Sequence, residues 1–500
     1  MKKLILARRL SQVFFLCLFI YILWSTTYPL KGIFSPALFF KFNPLVTIIT
    51  SLSERIILSG VIFSLCMLML TIILGRFFCG WVCPLGTVID IVGVFGKSKI
   101  LTDAQNTKIR RAKFFILGVI FVFSFFSFQI AWIFDPLVIM ARFISLNLIP
   151  SVTFIIDGFF SWIIRFFHLY GPVYDFYRSL QNSFLGIKVY YFAHSLVIFS
   201  FILTILIAAF KLKRSWCRVV CPLGALYAVF SRFSFLERRV KECSHCRKCK
   251  SDCRMAAIKD DSGYSKSECI LCMDCVYDCP QHVTDFGFKL GAERERQGIS
   301  RRDFLKLALI SSLQGFGFPP GKAVLKKSGR AMVLRPPAAL IETEFLNRCI
   351  RCGNCMKVCI TNGLQPALFQ SGFFGIWTPH LVPEIGYCEY HCTLCGKVCP
   401  TGAIPELTEE QKLKTRLGLA KIDRSICLPW KKKEQCIVCE EHCPVSNKAI
   451  KLKKVQVDGK IIERPYVNLR LCIGCGICQT KCPTRPKRAI IVYPVRVTHS

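Results

Sequence analysis

Four long apolar stretches dominate the first half of the chain, over residues 11–28, 56–75, 114–134 and 190–210. Each is close to the ~20 residues that a helix needs to cross a bilayer. Basic residues cluster at one side of these stretches. Lys2, Lys3, Arg8 and Arg9 precede the first, and Arg76, Lys97, Lys99, Lys108, Arg110, Arg111 and Lys113 separate the second from the third. Lys211, Lys213, Arg214 and Arg218 follow the fourth, whereas the loop over 135–189 holds only Arg142, Arg165, Arg178 and Lys188. The positive-inside rule then places both ends of a four-span unit in the cytoplasm. No small-residue cleavage site follows Trp24, so the first stretch reads as an anchor rather than a signal peptide. Residues 137–167 are apolar in patches broken by Pro150, Asp157 and Arg165, and are expected to lie along the outer membrane surface.

The spans form an internal repeat. Phe42-Asn43-Pro44-Leu45-Val46 precedes one span and Cys79-x-x-x-Cys83-Pro84-Leu85-Gly86 follows it. Phe134-Asp135-Pro136-Leu137-Val138 and Cys217-x-x-x-Cys221-Pro222-Leu223-Gly224 repeat the pattern, with an insertion on the outer side. Two spans per half keep one orientation, so the halves are expected to relate by an axis along the membrane normal. That symmetry would gather Cys79, Cys83, Cys217 and Cys221 at the cytoplasmic face. Cysteines four apart on a helix share a side, and the four thiols could hold a seventh cluster, bind copper, or act as a redox dithiol. Buried packing cysteines are the plainer alternative. Cys17 and Cys66 lie alone within spans and are expected to pack as small apolar residues.

Composition sharpens this picture. With 53% hydrophobic residues, 67 Lys+Arg against 31 Asp+Glu and 30 cysteines, the chain is neither disordered nor a short disulfide scaffold. Its charge of +36 is spread around spans and cysteine motifs, so nucleic acid is not an expected partner.

Twenty-four cysteines fall into six quartets. Cys243, Cys246, Cys249 and Cys253 are followed by Cys269, Cys272, Cys275 and Cys279. Three cysteines at intervals of three wrap one [4Fe–4S] cluster, and the fourth reaches to its neighbour. Cys279 is therefore expected to complete the first cluster and Cys253 the second. Zinc ribbons pair C-x-x-C units and have no use for a third cysteine at the same interval. The remaining quartets are Cys349, Cys352, Cys355, Cys359; Cys388, Cys392, Cys395, Cys399; Cys427, Cys436, Cys439, Cys443; and Cys472, Cys475, Cys478, Cys482. Ligand exchange among these four is expected between first and fourth, and between second and third. No C-x-x-C-H and no G-x-G-x-x-G occurs to suggest covalent haem or a nucleotide domain. His168 and His194 near the outer face read as interfacial packing histidines rather than quinol ligands, and His245, His391 and His442 as spacers or hydrogen-bond donors to sulfur. Between the cysteine regions, Ser300-Arg301-Arg302-Asp303-Phe304-Leu305-Lys306 precedes a modest apolar run, an internal twin-arginine export pattern built on Arg301 and Arg302. A basic amphipathic helix on anionic lipid is its plainer reading.

On these motifs residues 1–290 resemble the NapH/MauN type of membrane polyferredoxin. Residues 300–500 resemble the NapG/MauM ferredoxin type, including Arg335-Pro336-Pro337 and Gly375-Ile376-Trp377-Thr378-Pro379. Ile360, Arg254 and the fusion itself depart from those patterns. The expected fold is a membrane all-α four-helix unit with a two-fold internal repeat, followed by α+β ferredoxin-like [4Fe–4S] domains. Its segments are 1–230 (four spans), 231–290 (two clusters), 291–336 (linker with the export pattern) and 337–500 (four clusters). The resemblance implies a multi-pass protein of the bacterial inner membrane carrying six [4Fe–4S] clusters, an electron-transfer component rather than a self-contained enzyme. Electrons would pass from membrane quinol to a periplasmic reductase or its carrier, with the two-cluster domain cytoplasmic and the four-cluster domain periplasmic. Two alternatives stand beside it: a six-cluster wire held wholly on the cytoplasmic side, and an assembly factor whose C-x-x-x-C-P cysteines bind and reduce copper.

Overall fold

The computed structural model describes residues 2–30, 32, 34–96, 102–168, 171–181, 191–260, 262–288, 333–457 and 459–495. The chain divides into two compact units, each assembled from separated segments. The first comprises Met1–Leu23, Ala37–Ile144 and Leu196–Lys327, and the second Trp24–Pro36, Ser145–Ser195 and Ser328–Ser500. Arg301 and Arg302 lie outside the described residues.

The first unit is helical where the sequence is apolar. The repeated Phe-(Asn/Asp)-Pro-Leu-Val motifs begin helices Pro44–Glu54 and Pro136–Phe143 in the same way. Asn43 accepts from the amides of Leu45 and Val46, and Asp135 from those of Leu137 and Val138. A side-chain acceptor at the N-cap followed by proline, which has no amide to leave unpaired, is a strong helix start. The two caps also meet each other: Asn43 Nδ2 donates to Asp135 Oδ2 at 2.8 Å. The repeat is thus joined through its own start signals, among the buried side chains of Leu45, Ile49, Leu137 and Val138.

The helices differ from the expected spans in length. Among the described residues two are long and apolar enough to cross a membrane, Lys3–Trp24 and Pro136–Phe167. Val61–Leu74 and Ser195–Lys211 reach only 14 and 17 residues. Asp103–Phe125 has 23, but its first half carries Lys108, Arg110, Arg111 and Lys113. Residues 137–167, expected as a broken surface segment, instead run as one 32-residue helical stretch through a π-helical turn at Ile144–Leu148. Pro150 falls in the first turn of Ile149–Phe167, where its missing amide costs little, and Asp157 accepts hydrogen bonds from Tyr177 and Gln181. The breakers are therefore accommodated.

After helix Pro222–Phe230 the first unit closes with a small ribbon. Leu236–Val240 pairs antiparallel with Thr284–Phe288, bracketing helices Lys248–Asp252 and Asp274–Tyr277. The second unit repeats this plan. Gly418–Ile422, before the fifth cysteine quartet along the chain, pairs with Ile490–Pro494, after the sixth. Leu364–Pro366 pairs with Pro379–Leu381, and Ile450–Val457 with Lys460–Val467. Helices Ile149–Phe167 and Pro172–Leu180 belong to this unit through Ile164 and Tyr177, which pack with Trp24 and Phe160.

Candidate iron–sulfur and thiol sites

The regular quartets are curled by backbone conformation. In each C-x-x-C-x-x-C run the residues flanking the second cysteine have positive φ: His245 and Arg247, Leu271 and Met273, Arg351 and Gly353, Gly474 and Gly476. Alternating left-handed residues turn the chain inward and bring successive sulfurs to one side. Only three of these eight positions are glycine, so composition gives little sign of the turn.

Cys243, Cys246, Cys249 and Cys279 line one cavity of about 480 Å³. Cys269, Cys272 and Cys275 are electrostatically coupled to Cys253. The exchange expected between the first two quartets is the arrangement seen. In the second unit the expected exchange is not. Cys359 joins Cys388, Cys392 and Cys395 around a cavity of about 400 Å³, and Cys399 is gathered with Cys349, Cys352 and Cys355. Cys482 joins Cys427, Cys436 and Cys439 around about 370 Å³, and Cys443 is coupled to Cys475 and Cys478. Quartets pair first with second and third with fourth. The ribbon of Gly418–Ile422 with Ile490–Pro494 explains this, because it encloses the last two quartets as the Leu236–Val240 ribbon encloses its own pair.

Burial pushes the Cys388 and Cys427 thiols up to about 11 and the Cys269 and Cys275 thiols to about 12. Thiolate ligation there needs a positively charged partner, which an iron–sulfur core supplies. Backbone amides point at several sulfurs: Ala257 N to Cys253 at 3.2 Å, Ala420 N to Cys472 at 3.4 Å and Ile404 N to Cys399 at 3.5 Å. Such bonds tune cluster potential. The histidine rings take other partners. His245 Nδ1 meets Ser262, His391 Nδ1 meets Glu409 and His442 Nδ1 meets the Val438 carbonyl. The backbone amide of His245 reaches a sulfur, that of Cys243 at 3.4 Å, and the backbone of His282 reaches Cys279.

The C-x-x-x-C-P cysteines come together as the repeat predicts. Cys79 lies in the short helix Phe77–Trp81 and Cys217 in Ser215–Val219, while Cys83 and Cys221 cap Pro84–Val94 and Pro222–Phe230. All four are buried and line one cavity of about 320 Å³. Cys17 and Cys66, expected to pack as small apolar residues within spans, lie exposed on the protein surface.

Sequence reasoning missed the cations beside this cavity. Arg76 and Arg214 each stand three residues before a C-x-x-x-C-P motif, and both are fully buried. Arg214 donates to the Cys79 carbonyl at 2.8 Å and pairs with Asp90 at 2.6 Å. Arg76 donates to the Ser267 carbonyl at 2.9 Å and meets Glu268, which also accepts from Lys113 at 2.6 Å. Burial alone would raise the Glu268 carboxyl, but Lys113, Arg76 and Arg110 hold it below its usual value. The signal was in the sequence: R-x-x-C-x-x-x-C-P-L-G occurs twice. Glu268 also ties this region to the ferredoxin segment. There, Trp81 Nε1 donates to the Leu271 carbonyl at 2.9 Å, and a Cβ on Gly80 would lie 2.1 Å from the Ile270 oxygen.

Among the described residues, no group of three or more His, Cys, Asp or Glu side chains closes to a geometry that could hold a single metal ion. The sulfurs are spread around cavities instead.

A family described as "4Fe-4S binding domain" matches residues 56–102 and 194–241, the two segments that hold the C-x-x-x-C-P motifs. A second of the same description matches 465–486. The methylamine utilization ferredoxin-type protein MauM of Methylophilus methylotrophus is 35% identical over 195 residues, covering 38% of this chain and 83% of its own. The ferredoxin-type protein NapG of Escherichia coli is 33% identical over 202 residues, 39% of this chain and 86% of that protein. An uncharacterized protein of Methanocaldococcus jannaschii is 26% identical over 299 residues, 58% of this chain and 98% of that one. No solved structure matches. Quartets curled around shared cavities, 4Fe–4S binding segments and relatives covered over most of their length agree: the chain belongs to the family of MauM- and NapG-type ferredoxin-type iron–sulfur proteins.

Proposed function

We propose that this protein is a membrane-bound electron-transfer polyferredoxin in which a NapH/MauN-like part, residues 1–290, is fused to a NapG/MauM-like part. It takes electrons from a membrane quinol and delivers them to a redox partner outside the cytoplasmic membrane. The 24 quartet cysteines hold six [4Fe–4S] clusters, and Arg301 and Arg302 direct export of the four-cluster segment. Membrane lipid surrounds its apolar helices, of which Lys3–Trp24 and Pro136–Phe167 are long enough to cross.

The observation that carries this reading is the composition of the second unit. Segments 24–36 and 145–195, which the charge pattern assigns to the outer side, fold together with 328–500. Lys357 Nζ donates to the carbonyls of Trp24 and Thr26, each at 3.0 Å. Asn362 and Gln365 donate to the Tyr191 carbonyl at 2.8 and 3.1 Å, and Ala193 N donates to Gln365. By contrast, the two-cluster segment is joined to the basic ends of the helices through Glu268, Arg76 and Lys113. A wholly cytoplasmic wire would need those loops on the other side of the membrane. The copper alternative is disfavoured by thiols spread around a cavity rather than closed on one ion.

A tag after Ser500, probed with protease in spheroplasts, tests the reading. It should be accessible in the native chain and protected when Arg301 and Arg302 are both changed to Lys. Protection in both chains would sink the outward delivery of electrons.

A further inference from the structure

Of the segments matched as a 4Fe–4S binding domain, 465–486 contains a quartet but the two in the helical half do not: 56–102 holds Cys66, Cys79 and Cys83, and 194–241 holds Cys217 and Cys221. Cys66 is exposed and stands apart from the cavity that the other four line. Each half of the repeat thus brings two ligands, and two are too few for a cubane, which takes four thiolates.

We propose that Cys79, Cys83, Cys217 and Cys221 together hold one further [4Fe–4S] cluster, shared between the two halves of the repeat at the pseudo-two-fold position.

Size, charge and position support it. The cavity of about 320 Å³ is somewhat smaller than the 370, 400 and 480 Å³ of cavities lined by ferredoxin quartets. Like those quartets, the four thiols do not close on a single ion. Its walls are cationic in a crossed pattern. Arg76, from the first half, reaches the second-half motif, where a Cβ on Gly224 would stand 2.9 Å from its Nη2. Arg214, from the second half, reaches the first, 3.6 Å from the same point on Gly86. At Gly224 the missing side chain therefore makes room for the partner half's arginine, while at Gly86 the arginine is in ordinary contact distance and the tighter neighbour is the Cys79 carbonyl. Arg76 Nε and Nη2 are buried and have no hydrogen-bond partner, in a guanidinium that Cys79, Cys217 and Cys221 surround. An oxidised cubane with four thiolates carries a net charge of about −2. Arg76 in the cavity wall keeps Nε and Nη2 free for that charge, whereas Arg214 is held by Asp90, and the amide of Gly224 already donates to Cys221 Sγ at 3.2 Å. An uncharged set of thiols would leave those two Arg76 nitrogens without an anionic neighbour on the cavity side.

The site is placed for electron exchange. Gly80, next to Cys79, abuts the carbonyl of Ile270, next to Cys269. The exchange is one electron between two clusters, one reduced as the other is oxidised, with no bond made and no proton moved. This inference rests on the iron–sulfur character of the chain and not on the donor or on the side of its C-terminus.

Iron and acid-labile sulfide would be counted in the full-length holoprotein purified without oxygen, for the native chain, Cys79→Ser, Cys217→Ser and the double variant. The native chain should hold about 28 iron atoms, four for each of seven clusters. Each single variant should lose about four, and the double variant no more than either single, because both changes strike one cluster. Mössbauer spectra should keep the contributions of the remaining clusters, which separates loss of this site from general misfolding. About 24 iron atoms in the native chain with unchanged counts in the variants would overturn the proposal. So would additive losses, which assign one metal to each half, or a copper ion lost in place of iron.

Discussion

His380 shows how one side chain links local burial to solution behaviour. It sits in strand Pro379–Leu381 with its Nδ1 bonded to the Gln365 carbonyl at 3.0 Å. Burial, assisted by the neighbouring Arg335 and His194 charges, lowers its pKa from 6.5 to about 4. The unfolded chain therefore takes up a proton near pH 6.5 that the folded chain refuses until about pH 4. Stability falls as pH drops through that window, by on the order of 3 kcal/mol in total, and this residue adds no pH dependence above it. Thermal melts from pH 4 to 8 should show the loss, and His380→Gln should flatten it. A native-like slope in the variant would assign the effect elsewhere. Chemistry of this kind was not legible in the sequence: His380 directly follows Gly375-Ile376-Trp377-Thr378-Pro379, but nothing in that motif announces its burial. The same holds for Leu271, Met273 and Arg351, whose positive φ no residue type announces. The grouping of cysteines into quartets, in contrast, can be read directly from their spacing, because ligand chemistry restricts each position to one side chain.

At the scale of elements, the repeat was readable and the pairing of quartets was not. Asn43 and Asp135 announce themselves as N-caps ahead of proline, so the two helix starts follow from local rules. Quartet pairing depends on which strands meet. Nothing near Gly418–Ile422 indicates that its partner is Ile490–Pro494, because antiparallel pairing is set by packing over a long separation. Helix lengths differ at the ends. Val61–Leu74 stops at Gly75, where the apolar stretch 56–75 itself ends, and falls short at its start, which comes only after Gly60. The pairing makes a test. Cys436→Ser and Cys482→Ser should each cost the same cluster, about four iron atoms, with no further loss in the double variant. Cys352→Ser combined with Cys482→Ser should lose about twice as much. If Cys352→Ser and Cys482→Ser instead prove non-additive, the first quartet exchanges with the last.

For the molecule as a whole, the two units are not successive beads on the chain. The second needs Trp24–Pro36 and Ser145–Ser195 as well as Ser328–Ser500. Cutting the chain should therefore not release its C-terminal part. With a protease site inserted within 291–332 and cleaved after purification, residues 333–500 should remain bound to the rest through Lys357, Asn362 and Gln365. Dissociation of the fragment in mild detergent would mean that these contacts do not hold it.

That arrangement also sets an order of manufacture. The first loop is made early, yet Lys357, which caps the Trp24 and Thr26 carbonyls, emerges from the ribosome more than three hundred residues later. Leu146 likewise waits for Gly353, against which its side chain rests. Lys357 and Gly353 both lie inside the Cys349–Cys359 run, and their positions depend on how that run curls. A chain that fails to acquire its inorganic cores leaves those early loops uncovered. Proteolytic surveillance can then distinguish finished copies from defective ones without ever sensing iron.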